Sequence, residues 1–239
     1  MQKLKQFLTK YKLFIIFICS LLAFLLFTLL ITLIDVRAIG PSDPNTGIPS
    51  SVGFATLNGW FHSLTGENML LYSITDWGSL ITFPIGATFL VVGIVELIKR
   101  KSLLKVDANI LALGCFYILT FISYIVFEYL VVNYRPCLME IQGVYYLEAS
   151  YPSSTTLLAI TLLISAIDQV IIYIKNKNLK ITLVVICSVL AAFFVIGRAI
   201  SGVHWLTDII GGVLLSITLI SFYLTIKEIF LKTLNSKKD

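Results

Sequence analysis

The chain has 239 residues, 58% of them hydrophobic and 13% charged, with a formal net charge of +5 and a mean hydropathy of +0.94. These values exclude a soluble globular domain, since its apolar surface exceeds what a water-facing fold can hide. The positive charge suggests nucleic acid only until its distribution is read, because it falls in short clusters between apolar runs.

A helix needs about 20 apolar residues to cross roughly 30 Å of hydrocarbon. Six segments qualify: 13–34, 77–98, 108–127, 153–174, 181–197 and 205–226. The first runs from Leu13 to Ile34 without a charge and no small-x-small cleavage pattern follows it, so it reads as a retained anchor rather than a secretory signal. Residues 35–76 form the longest connection, opening with Gly40-Pro41-Ser42-Asp43-Pro44-Asn45 turn chemistry. Within it Phe54, Leu57, Phe61 and Leu64 recur at helical steps beside Trp60. That pattern fits an interfacial helix, aromatic side down, or a segment packed across the top of the bundle. His62 lies here and reads as a surface or capping histidine.

Pro84 predicts a local kink in span two, and Glu96 and Asp168 sit near helix ends where water or lysines satisfy them. Lysines and arginines cluster before span one, between spans two and three, between four and five, and after six; fifteen of the eighteen lie on that side. The positive-inside rule makes this side cytoplasmic, both termini included. Cys19, Cys115 and Cys187 fall inside spans and Cys137 outside, so neither a disulfide framework nor a metal spacing emerges. The predicted fold is all-α: one integral-membrane bundle of six transmembrane helices. Residues 1–107 carry two spans and the long loop 35–76, residues 108–226 carry four, and 227–239 form a basic cytoplasmic tail.

On the outer face three segments meet: Arg135-Pro136 after span three, Pro152-Ser153-Ser154-Thr155 at the start of span four, and Arg198 to Asp208 between spans five and six. Ionisable residues near lipid are costly, which makes them functional candidates. His204 and Asp208 are four apart, so on a helix the carboxylate can hold one imidazole nitrogen and leave the other as a nucleophile. Arg135 and Arg198 offer planar forks of donors for phosphate oxygens, and the N-terminus of span four adds hydroxyls and free N–H groups.

These three segments resemble the type 2 phosphatidic acid phosphatase (PAP2) superfamily, whose pattern is Lys-x6-Arg-Pro, then Pro-Ser-Gly-His, then Ser-Arg-x5-His-x3-Asp. The third motif matches at Arg198, His204 and Asp208, with Gly197 in place of serine. The resemblance implies a six-helix fold with a catalytic core over 108–226 and phosphate-ester chemistry that needs no metal or other cofactor. His204 would form a phosphohistidine, Asp208 would orient it, and Arg135, Arg198, Ser153, Ser154 and Thr155 would bind phosphate. The implied partner is a membrane lipid phosphate, hydrolysed at the outer leaflet of a bacterial cytoplasmic membrane.

Two motifs depart from the pattern. Glu128 stands where the family has lysine, and Thr155 where it has the histidine that protonates the leaving oxygen. A threonine hydroxyl binds phosphate but is too weak an acid for that role. Glu128, one heptad before Arg135, is a candidate substitute acid; equally, it can pair with Arg135. Three readings follow: an active phosphatase, a non-catalytic member that binds or transports a lipid phosphate, and a bundle in which these charges merely tie helices together.

Overall fold

The computed structural model describes residues 11–235; Lys3, Lys5, Lys10, Lys237 and Lys238 of the expected cytoplasmic charge lie outside them. The helices, in chain order, are α1 Lys12–Leu33, α2 Ala55–Thr65, α3 Met69–Ser79, α4 Thr82–Arg100, α5 Ala108–Tyr129, α6 Ser154–Tyr173, α7 Lys177–Ile200 and α8 Leu206–Asn235. A hairpin of β1 Met139–Ile141 and β2 Val144–Tyr146 interrupts them between α5 and α6. Among the described residues six helical segments are long and apolar enough to span a membrane, with α3 and α4 together forming the second. The chain is a multi-pass, all-α membrane protein.

Side-chain caps set several helix starts. Asp107 accepts from Asn109 N, Ser153 from Thr156 N and Asn176 from Leu179 N, each satisfying an N–H that the helix itself leaves free. Hydroxyls inside the spans bond back one turn, as Thr161 does to the Leu157 carbonyl at 2.7 Å and Ser216 to that of Gly212 at 2.7 Å. Those bonds hide polar groups where water is absent.

The second span differs from the predicted 77–98. Asn68 caps a helix that starts earlier, at Met69, and the span breaks at Leu80 and Ile81. Pro84 explains the break: its ring would clash with the carbonyl four residues back, that of Leu80, which instead accepts from Phe83 N at 3.1 Å. The fifth span is longer than 181–197 and takes in Arg198, whose charge is met by Asp76. The sixth continues past 226, where Lys232 pairs with Glu228 one turn away.

Helices α6 and α8 form the buried centre, while α1, α3–α4 and α7 present apolar faces such as Leu22, Leu25, Leu26 and Leu29 outward. Phe24, Phe116, Tyr151, Leu215 and Tyr223 pack α1, α5 and α8 together, and Ala159, Leu163, Ala191 and Phe194 pack α6 on α7. The central pair is joined at both ends. Ser153 N donates to the Asp208 carbonyl at 3.0 Å at one end; at the other, Asp168 accepts from Lys227 and from the Tyr223 hydroxyl, each at 2.6 Å.

Segment 35–65 folds over the bundle as a loop pinned by isolated bridges, Arg37 with Val52 and Ser42 with Pro49, and then helix α2. Asn58 anchors α2 by donating to the Gly53 carbonyl at 2.8 Å and to Thr207 Oγ1 at 2.9 Å, while Trp60 and Leu64 remain exposed. The helix is packed on the bundle through one face and leaves apolar side chains exposed on the other. The four cysteines are free thiols.

Candidate active site

The excursion between α5 and α6 is closed by a short antiparallel clasp. Arg135 N donates to the Glu148 carbonyl at 3.0 Å, Ser150 N donates to the Asn133 carbonyl at 2.9 Å, and Tyr134 bridges Ala149 between them. Extended backbone alternates its side chains, so Asn133 with Arg135 and Glu148 with Ser150 are sent to one face in pairs. That face meets the turn before α8. Gly202 makes the turn possible: its φ is +69°, and a Cβ there would sit 1.6 Å from the Gly66 carbonyl oxygen.

His204 is buried in this turn with both ring nitrogens engaged. Arg135 Nη1 lies 3.1 Å from Nε2, and Ser150 Oγ lies 3.0 Å from Nδ1. A guanidinium only donates, so Nε2 presents its lone pair and the ring proton is on Nδ1. Burial, then the positive charges of Arg135 and Arg198, hold the His204 pKa well below its ordinary value. The imidazole is neutral near pH 7.

Asp208 is also fully enclosed. Its Oδ2 accepts from the Trp205 amide at 2.9 Å and from the Ser150 hydroxyl, and Oδ1 accepts from Asn133 Nδ2 at 3.3 Å. The Trp205 bond is the return half of a capping box: the third residue of α8 reaches back to the N–H at the helix cap. Asp208 therefore fixes the helix start as well as facing His204, whose Nδ1 is 3.7 Å from Oδ2.

Both arginines are buried and both meet carboxylates. Arg135 Nη2 is 2.8 Å from Glu148 Oε1, and Arg198 Nη2 is 2.6 Å from Asp76 Oδ1. The Tyr72 ring links them, with Arg198 4.5 Å and Arg135 5.6 Å from its centroid. Each Nε–H is buried without a hydrogen-bond partner.

A cavity beside His204 is lined by Arg135, Glu148, Ser150, Ser154, Glu128 and Tyr124, among others. Ser154 and Glu128 thus share a wall with His204, whereas Ser153 caps α6 and Thr155 is buried in its first turn, neither being part of that wall. Arg198 stands behind Tyr72. Arg135 pairs with Glu148, not Glu128. His62 stacks on Trp205, with ring centroids 5.5 Å apart.

Sequence reasoning passes over Glu148, Ser150, Tyr72 and Asp76. The Glu148-x-Ser150 alternation just before Pro152 is the available signal for the first two; Tyr72 and Asp76 are one turn apart on α3, outside 108–226. Among the described residues no group of three or more His, Cys, Asp or Glu side chains is placed to hold a metal ion.

The profile of the PAP2 superfamily matches residues 109–230. The chain belongs to the PAP2 superfamily. A solved PAP2 structure, the transmembrane PAP2-type phosphatidylglycerolphosphate phosphatase from Bacillus subtilis, is similar at 17% identity and a TM-score of 0.41, over 74% of this chain and 96% of that one. No curated protein matches the sequence. The PAP2 match begins at α5, so the partners that α3 supplies to Arg198 lie outside it.

Proposed function

We propose that this protein is a lipid-phosphate phosphohydrolase working through a phosphohistidine at His204. The observation that carries the reading is the state of that ring: neutral, protonated on Nδ1, with the Nε2 lone pair beside a buried arginine. When Arg135 Nη1 turns from Nε2 to a phosphoryl oxygen the lone pair is released, and attack forms the Nε2–P bond and breaks the P–O bond, whose electron pair leaves on oxygen; water then hydrolyses the phosphohistidine. Arg135 in the cavity wall stabilises charge on the phosphoryl oxygens, and Arg198, behind Tyr72, adds its positive field to the same site; the Nε–H of each is a donor without a partner. Ser154 adds a donor, and of the two carboxyl side chains in the cavity wall Glu148 is held by Arg135, which leaves Glu128 as the candidate to protonate the leaving oxygen. A diphosphate lowers that need because phosphate leaves more easily than an alkoxide.

The charge distribution supports both termini inside and a site at the outer leaflet; a bacterial cytoplasmic membrane is part of the same proposal and does not follow from charge. Substrates of this chemistry include phosphatidic acid, phosphatidylglycerol phosphate and polyprenyl diphosphate.

The test is phosphate release by purified protein from these lipids in EDTA, comparing wild type with His204→Ala. The enzyme reading expects release that falls by about 10³-fold or more in the variant. A second reading, a protein that binds or moves a lipid phosphate without turnover, is favoured by the carboxylates on both arginines and by threonine at position 155. No release from any of the lipids, alongside saturable binding of them, would select it.

A further inference from the structure

We propose that Asp208 acts on His204 through the hydroxyl of Ser150, making Ser150 a positioning residue of the site. At 3.7 Å the Asp208 carboxylate is too far from Nδ1 for a hydrogen bond. Ser150 Oγ bridges the gap, touching Nδ1 at 3.0 Å and Asp208 Oδ2 more closely. The directions follow from proton count. An ionised carboxylate only accepts, so the single Ser150 hydrogen points to Asp208, and Oγ must accept from Nδ1–H. Arg135 at the opposite nitrogen requires the same tautomer independently.

The bridge is held from both sides. Ser150 is fixed by the clasp to Asn133, and Asp208 by Trp205 N and Asn133 Nδ2, so the carboxylate cannot simply advance if the hydroxyl is lost. During attack at phosphorus Nδ1 keeps its proton and the ring becomes cationic. The polarised chain from Nδ1–H to the Ser150 hydroxyl to the Asp208 carboxylate stabilises that charge without a proton leaving the ring.

The catalytic consequence rests on the phosphohydrolase reading, but the hydrogen bond does not, so the test has two arms. In a His62→Gln background, leaving His204 as the sole histidine, ¹⁵N-edited NMR of the micelle-bound protein reports the Nδ1–H proton. It is expected far downfield and slow to exchange in the parent. It should move upfield or exchange away in Ser150→Ala and return in Ser150→Thr. In the kinetic arm, Ser150→Ala is expected to lower kcat roughly 10- to 10²-fold, the cost of one unmade buried hydrogen bond, with KM within about twofold and most of kcat recovered in Ser150→Thr. An Nδ1–H signal and kcat unchanged in Ser150→Ala would overturn the proposal and leave Asp208 acting directly. If the parent hydrolyses no lipid phosphate, the phosphatase reading falls while the NMR arm still decides the bridge. Should Ser150→Ala not fold, Ser150→Cys replaces it with the same outcomes, since a thiol keeps the volume but hydrogen-bonds weakly.

Discussion

His204 holds its neutral form at a thermodynamic cost that can be measured. Its folded-state pKa lies below the unfolded value of about 6.5, with burial the main cause and the two arginines adding to it. As pH falls through 6.5 the unfolded chain takes up a proton that the folded ring refuses. The contribution of His204 to stability is therefore complete above about pH 6.5 and is lost progressively as pH drops from there toward the folded value. Thermal unfolding in detergent at pH 7.5 and pH 5 should show a larger loss for wild type than for His204→Gln; equal losses would mean that the ring titrates normally in the fold. Legibility stops at this same scale. The register Arg198, His204, Asp208 was readable because each residue carries a charge or a ring that lipid would otherwise penalise. Ser150 and Glu148 were not, because serine and glutamate beside a proline look like loop chemistry until Tyr134 bridges Ala149 and turns them to one face.

At the scale of elements, what was legible followed hydropathy and what was not followed pairing. Span one and the third and fourth spans lie within about two residues of their predicted limits; the starts of the third and fourth coincide with the polar caps Asp107 and Ser153, whereas span one is bounded by the extent of its apolar run alone. The fifth ran on past its apolar window, since an ion pair with α3 made Arg198 acceptable inside a helix. The hairpin β1–β2 had no strand signal, its three-residue arms being too short for one; its turn is set by Gln142 and Gly143, both with positive φ. The turn before α8 closely approaches the end of α2, leaving no room for a Cβ at Gly202. Gly202→Ala puts a side chain at positive φ into the Gly66 carbonyl, and should cost roughly 2–4 kcal/mol and displace His204. A melting temperature equal to wild type, with activity intact, would show that the two segments separate freely.

Across the whole molecule, charge is expected to order the chain relative to the membrane, and the polar centre orders the helices relative to one another. Orientation is testable with single cysteines in a background lacking the four native ones. Asn45→Cys and Asn178→Cys are both exposed, on the long loop and at the start of α7. An impermeant maleimide should label Asn45→Cys in intact cells and Asn178→Cys only after lysis; the opposite pattern would invert the topology and move the site to the cytoplasm.

The two fastenings between α6 and α8 give the bundle a phase. With Ser153 tied to Asp208 at one end and Asp168 to Lys227 at the other, neither helix can slide or spin against its neighbour. One residue inserted into α8 between Asp208 and Lys227 would rotate everything beyond it by about 100° and advance it about 1.5 Å, so that one fastening could close only by opening the other. The outer helices are gauged by single contacts instead: α1 by Ser20 on Ser221 and Thr28 on the Tyr151 hydroxyl, α5 by Tyr117 on Ser165, and α7 by Arg198 on Asp76. Insertions are therefore expected to be tolerated in the loops and at the far end of α8, while the distance between the two fastenings is set by two helices counted residue by residue.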